Sequence, residues 1–309
     1  MNQNEKAGGE NAGGGSVTPD AELLKKLKGK IVLIKYGGNA MVEESARNQV
    51  MDQVAILKEL GVWPVIVHGG GPVIRNLLEE VGIESKFVDG HRLTDRNAMG
   101  YVEMALRGRV NGSIVKELNA RKLKAVGLSG KDAGMVTAVK RKVEMESGSV
   151  TEQVDLGHVG DVLSIETDLI LTLLEKEYIP VIAPIGIGED QLDYNINADM
   201  FAGHMAGALN AVAFVALTNV DGLLMDPEDP DSLVENLTLE EVNTRMGKSI
   251  RGGMIPKVEA CLIALRKGVK QAHIVNGMKP DTLLIKLLTR RSCGTTISKV
   301  RSKKGKKQK

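Results

Sequence analysis

The chain reads Ile31-Val32-Leu33-Ile34-Lys35-Tyr36-Gly37-Gly38 and, further on, Val65-Ile66-Val67-His68-Gly69-Gly70-Gly71-Pro72. Each stretch is an uninterrupted apolar run that closes on adjacent glycines. A run without polar alternation predicts a strand buried on both faces, hence a mostly parallel sheet with helices on each side. Adjacent glycines let a backbone approach an anion closely, and their amides can point at phosphate oxygens where a helix begins. Pro72 stands where a first-turn proline belongs. One Gly-Gly pair would be explained by a structural turn. Two of them, each ending an apolar strand, point to a phosphate-handling site.

Outward from this pair the rhythm continues. Apolar runs at 31–36, 63–67, 125–128, 179–184, 212–217 and 272–276 predict buried strands. Between them lie helical patterns such as Val50, Val54 and Leu57 stopped by Gly61, and Leu77, Leu78 and Val81 stopped by Gly82. Val136, Ala138 and the stretch to Val143 alternate with polar residues instead, which predicts a small antiparallel hairpin continuing toward 160–165. The fold class is therefore α/β.

Spacing excludes the familiar nucleotide motifs. A Walker A loop closing on Gly247-Lys248-Ser249 would need its first glycine at Val242, and Gly130-Lys131 is followed by Asp132. The dinucleotide fingerprint fails because Ile74 stands where a third glycine belongs after Gly69 and Gly71.

With 309 residues and 42% hydrophobic content the chain can bury a large core, and two lobes are expected. Cys261 and Cys293 have no metal-ligand spacing around them and read as reduced thiols, while the five histidines are scattered, so no metal site is expected. No apolar run approaches the length of a membrane span and no signal-like segment opens the chain, which predicts a cytoplasmic protein without membrane contact. The last eleven residues, from Lys299, carry seven Lys or Arg and no acid. Lacking interleaved aromatics, they read as a solubilising basic tail over 298–309, not a nucleic-acid surface. Residues 1–19, rich in glycine, read as a second tail.

The whole ordered set of motifs resembles one family. Lys35 to Met41, His68 to Pro72, Gly90 to Asp95, Gly127 to Asp132, Leu156 to Gly160, Asn195 to Asp199 and Gly252 to Lys257 occur in the order found in N-acetyl-L-glutamate kinases, of the amino-acid kinase superfamily. The resemblance covers 30–297. It implies an open αβα sandwich around a mostly parallel sheet, in two lobes. The N-terminal lobe, 20–205, would bind the acyl-amino acid and make the dimer contact; the C-terminal lobe, 206–297, would bind the nucleotide. The implied reaction moves the γ-phosphoryl group of ATP to the side-chain carboxylate of N-acetyl-L-glutamate, with Mg2+ carried by the nucleotide.

Roles follow by position. Lys35 and Lys257 resemble the lysines that steady the transferring phosphoryl and the leaving side, and Asp199 resembles the acid that holds both. A lysine at a strand end is ordinarily solvated, but Lys35 ends an apolar run facing a glycine pair, a costly place for a purely structural cation. Arg92 is the candidate for the substrate's α-carboxylate, because a guanidinium fork matches a carboxylate bidentately. Asn195 and Asn197, two apart in an extended segment, would face the same side and join Gly70 and Gly71 around the acyl-amino acid. Gly37, Gly38 and Gly69 would offer amides to phosphate, and Thr218, Asn219, Asp221 and Met254 lie where the family places the nucleotide.

Sister kinases acting on N-acetyl-aminoadipate, carbamate, aspartate, glutamate or UMP would keep the lysines and glycines and change the segments 90–95 and 195–197; a substrate longer by one methylene is hard to exclude. A non-catalytic module working through its basic tail is disfavoured by the intact lysine pair and Asp199. A homodimer at least is expected, with a hexamer as the larger alternative. Tyr36, Asn39 to Met41, His273, Gly294 and the Leu23, Leu24 and Leu27 pattern resemble the arginine-inhibited hexameric branch. Against that, Lys286 replaces an acid usual there and would repel a bound guanidinium. Arginine inhibition is therefore expected to be weak or absent.

Overall fold

A computed structural model describes residues 17–88, 90–147, 150–226, 228–247 and 250–300. Most of both terminal tails, up to residue 16 and from residue 301, lies outside the described residues, as do Lys248 and Ser249. In chain order the first strands are β1 (Ile31–Tyr36), β2 (Trp63–His68), β3 (Phe87–Val88), β4 (His91–Arg92), β5 (Ala125–Ser129), β6 (Val136–Ser147) and β7 (Val150–Ile165). The later ones are β8 (Ile179–Ala183), β9 (Ile185–Gly188), β10 (Asp193–Ile196), β11 (Ala213–Thr218), β12 (Asn236–Thr238), β13 (Gln271–Asn276) and β14 (Thr295–Ser298). The helices are α1 (Ala21–Leu27), α2 (Glu44–Glu59), α3 (Gly71–Glu80), α4 (Arg96–Glu103), α5 (Gly112–Ala120) and α6 (Asp168–Glu175). They continue with α7 (Ala198–Ala208), α8 (Leu239–Arg245), α9 (Ile255–Arg266) and α10 (Thr282–Leu288), and a π-helical stretch, Met104–Asn111, joins α4 to α5.

The central sheet has the order β12-β14-β13-β11-β1-β2-β8-β5. Its pairings are parallel except for the antiparallel β13 and β14. The uninterrupted apolar runs are explained by two cores. Ile31 and Leu33 of β1 point to one, with Phe201, Met205 and Cys261 of α7 and α9; Val32, Ile34 and Tyr36 point to the other, with Val54, Leu118 and Leu287 of α2, α5 and α10. Every position of β1 is buried because helices cover both sides of it. The αβα sandwich is thus present.

The alternating segment is larger than a small hairpin. β6 and β7 pair antiparallel and, with β9 and β10, close a four-stranded barrel. The alternation arises because Val136, Ala138 and Val162 point into a core while intervening residues such as Val139 and Leu163 are exposed. The edge strand β12 and its neighbour β14 are short and rich in Asn, Thr and Ser, so their apolar content is too small to mark them. α1 packs on its own chain: Leu27 is buried with α10 residues, Asp20 caps the helix, and Arg290 pairs with Asp20 and Glu22. Among the described residues no helix is long and apolar enough to cross a membrane.

Candidate active site

β1 and β11 are neighbours from which the sheet grows in opposite directions, toward β2 and β5 on one side and toward β13 and β12 on the other. In open parallel sheets such a switch leaves a crevice at the carboxyl ends of the strands, where loops diverge instead of covering one another. The glycine loops after β1 and β2, and Thr218 at the end of β11, all lie at that end.

Three charged side chains meet there. Lys35, the fifth residue of β1, brings Nζ to 3.0 Å from Asp199 Oδ1, an ion pair off the line of a well-directed hydrogen bond. Lys257, in the first turn of α9, donates from Nζ to the other oxygen, Oδ2, at 3.2 Å. Asp199 is in the first turn of α7, whose positive N-terminal end favours a carboxylate. Burial opposes ionisation of Asp199, yet the two lysines hold its carboxyl below the usual range. Burial pushes the Lys35 ammonium down, while Asp199 opposes that shift and Lys257 adds to it. A side chain on the residue after Tyr36 would press on this ammonium: a Cβ on Gly37 would lie 3.1 Å from Lys35 Nζ, which would have to give by a few tenths of an ångström. Helices α7 and α9 carry Asp199 and Lys257 into register because their backbones touch; a Cβ on Gly203 would meet Ala260 O at 2.6 Å.

Beside this triad is a cavity of about 310 Å³ lined by Lys35 and Asp199, by Gly38, Gly69, Gly70 and Gly71, by Arg92, and by Asn195 and Asn197. Arg92 is nearly buried; it donates to Gly71 O at 3.4 Å and to Ser85 Oγ, and its guanidinium lies 4.7 Å from the centre of the Phe87 ring. Burial, helped by Arg75, lowers its pKa, but a guanidinium stays charged. Asn195 and Asn197 face the same cavity, as their spacing implies. The carboxamide oxygen of Asn197 caps α7, accepting from the Asp199 and Met200 amides, so its NH2 is the group suited to meet a ligand.

The remaining sequence-derived residues lie outside the cavity lining. Gly37 adjoins it through Lys35, while Thr218 ends β11 and Asn219 follows it. Asp221 accepts from Lys279 at 2.7 Å and from Asn276 at 2.8 Å, which lower its pKa in that order. Met254 precedes α9, three residues before Lys257. Sequence reading missed the apolar wall made by Phe87, Leu106, Val159 and Pro184. It also gave no role to Asn111, a buried amide at the end of the π-helical stretch. A polar residue inside an amphipathic pattern was the available signal.

The family model described as the amino acid kinase family matches residues 30–276, and the chain belongs to that family. More particularly, it is 45% identical over 275 residues to the acetylglutamate kinase of Methanococcus aeolicus, covering 89% of this chain and 94% of that protein. It is 46% identical over 278 residues to the acetylglutamate kinase of Heliobacterium modesticaldum, again covering 94% of that protein. Among solved structures, a Streptococcus mutans protein superposes with a TM-score of 0.70 at 30% identity, covering 87% of this chain and 99% of that one. The N-acetylglutamate synthase of Neisseria gonorrhoeae superposes at 0.75 with 23% identity; this chain spans 62% of its length, so that likeness shows the fold alone.

Proposed function

We propose that this chain transfers the γ-phosphoryl group of ATP to the side-chain carboxylate of N-acetyl-L-glutamate, giving N-acetyl-L-glutamyl 5-phosphate and ADP in the second step of arginine biosynthesis. The observation that carries it is the buried Asp199 carboxylate shared by Lys35 and Lys257 at the edge of a cavity that also holds Arg92. The Methanococcus aeolicus and Heliobacterium modesticaldum relatives, each matched over 94% of its length, are acetylglutamate kinases.

The accepting carboxylate is already ionised, so no general base is required. One of its oxygens bonds to the γ-phosphorus as the bond to the β–γ bridging oxygen breaks, and that electron pair leaves with ADP. Charge spreads over the equatorial oxygens, so the protein's task is positioning and electrostatic stabilisation. Lys35 serves the transferring group, Lys257 the leaving side, and Asp199 keeps both ammoniums in place. Amides of Gly37 and Gly38 donate to phosphate; the Gly69 amide, expected from the sequence to join them, instead donates to Tyr36 O at 2.8 Å and ties the second glycine loop to the first. Arg92 takes the α-carboxylate, with Asn195, Asn197, Gly70 and Gly71 around the rest of the acyl-amino acid.

Both Asp199 oxygens are committed to lysines, and among the described residues no group of three His, Cys, Asp or Glu could hold a metal ion. The described residues therefore offer no metal cage, and in this reading magnesium arrives with the nucleotide as substrate. In this reading 20–205 serves the acyl-amino acid and the dimer contact, while 206–297, with Thr218, Asn219, Asp221 and Met254, serves the nucleotide. A cytoplasmic homodimer or larger assembly completes the proposal.

The test is release of ADP from Mg-ATP with a panel of acceptors, N-acetyl-L-glutamate, N-acetyl-aminoadipate, carbamate, aspartate, glutamate and UMP, with hydroxamate trapping to identify the acyl phosphate where the acceptor is an amino-acid carboxylate. Preference for N-acetyl-L-glutamate is expected; a higher kcat/KM for any other member would replace the proposed substrate.

A further inference from the structure

His68, the last residue of β2, is fully buried behind the glycine loop. Its Nδ1 lies 2.8 Å from Gly69 O, and its Nε2 lies 3.0 Å from Asn111 Nδ2. The orientation of the Asn111 amide is fixed by chemistry. The same Nδ2 faces two main-chain carbonyls that can only accept, Val181 O at 2.9 Å and Leu128 O at 3.3 Å, so it must be the NH2 end. The opposite end, Oδ1, is packed so tightly on Gly127 that a Cβ there would lie 2.0 Å from it. Because Nδ2 donates, His68 Nε2 must accept, which leaves the ring proton on Nδ1 to be donated to Gly69 O. Burial holds the ring neutral by pushing its pKa down to about 4.

The Gly69 carbonyl is thereby pulled back toward the sheet. In a trans peptide the next N–H points the opposite way, so the Gly70 amide is turned away from His68, and Gly70 is one of the three glycines that line the cavity. Gly70 also caps α3, where the first amides lack partners inside the helix and the dipole favours an anion. Asn111 reaches His68 from the π-helical end of the α4–α5 rod, a local geometry over-represented at functional sites.

We infer that His68 and Asn111 are positioning residues that lock the Gly69–Gly70 peptide with its amide toward the reacting carboxyl and phosphoryl groups, where negative charge develops during transfer. The inference rests on the proposed kinase reading for the identity of that charge. It requires the pair to act on turnover more than on substrate affinity, because a donor aimed at developing charge counts most in the transition state.

Asparagine and leucine are near-isosteres, and an asparagine amide can stand where His68 Nδ1 stands. His68→Leu is expected to lower kcat at least about tenfold, short of the full loss of an oxyanion donor, with both KM values within about threefold. His68→Asn is expected to recover most of kcat. Equal kcat in the two folded variants, or a defect confined to KM, would overturn the inference. A measurement on the unaltered protein guards against a variant that fails to fold. Nitrogen-15 NMR of the histidine rings should show His68 neutral and protonated on Nδ1 near pH 7; an Nε2-protonated or charged ring would overturn it equally. The native chain's turnover of N-acetyl-L-glutamate reports separately on the proposed function, and the tautomer reports on the peptide lock whatever that turnover is.

Discussion

Replacing Asp199 by Asn keeps the shape of the side chain and removes the one negative charge that two ammoniums share. Asn can accept from one lysine through its oxygen, but its NH2 then faces the other cation as a second donor. At contact distances of 3.0 and 3.2 Å, each ion pair has a gross Coulomb energy of about 5 kcal/mol at an effective dielectric constant of about 20. Desolvation offsets much of that, and breaking a buried pair from one side typically costs about 3–5 kcal/mol. With that cost falling on the reactive arrangement, kcat should drop by roughly 100- to 4,000-fold at about 1.4 kcal/mol per decade. The sign of the pH effect follows separately. Burial already lowers the Lys35 pKa and Asp199 opposes that shift, so losing the carboxylate must lower it further. Activity that needs the ammonium is lost as pH rises through the folded-state pKa, and the alkaline limb of the profile should therefore move to lower pH. Hydroxamate trapping across pH, with thermal melting to confirm folding, measures both effects. A folded Asp199→Asn protein with kcat within about threefold of native and an unmoved alkaline limb would refute the role assigned to the shared carboxylate, whose expected loss is far larger.

Lys35→Ala and Lys257→Ala should each lower kcat by about 100-fold or more while leaving folding intact; near-native turnover of either purified protein removes that lysine from the mechanism. Arg92→Lys cannot reproduce the fork that divides between Gly71 O and Ser85 Oγ over the Phe87 ring, and it should raise KM for the acyl-amino acid with KM for ATP nearly unchanged, as initial-rate kinetics would show. Gly203→Ala would force α7 and α9 apart at Ala260, costing about 1–3 kcal/mol; a lower melting temperature together with reduced kcat is expected, since those helices carry Asp199 and Lys257. Lys286 donates to Cys293 O at 2.6 Å in a half-buried position, where burial lowers its pKa to about 8. Submillimolar arginine should inhibit the native chain weakly or not at all, Lys286→Glu should partly restore inhibition, and strong cooperative inhibition of the native protein would reverse this.

Strands β1, β2, β5, β8, β11 and β13 of the central sheet were legible because burial leaves little room for polar alternation, so their apolar runs stand out locally, whereas β12 and β14 carry no such run. Lys35 was legible for the same reason inverted: a cation closing such a run has a desolvation cost that calls for a partner, and Asp199 proved to be that partner. What was not legible depends on through-space geometry. The cap made by Asn197 spends an oxygen that a side-chain inventory counts as available. The bonds of Asn111 tie residue 111 to positions 68, 128 and 181, and no local pattern encodes that meeting. The extent of the barrel was underread because alternation marks a half-exposed strand without saying how long the pairing persists.

β1 is among the first elements of the chain and lies in the middle of the sheet, hydrogen-bonded to β2 on one side and to β11 on the other. During synthesis the β2 side can be satisfied early, but the other edge of β1 waits until residues 213–218 have been made. Until then a flat, apolar edge is open to pairing with other chains, a hazard that grows with the sequence distance between partners. Lys257 is made later still, after residues 213–218, so this topology makes both completion of the Lys35–Asp199–Lys257 triad and escape from misassembly late events in the biogenesis of the protein.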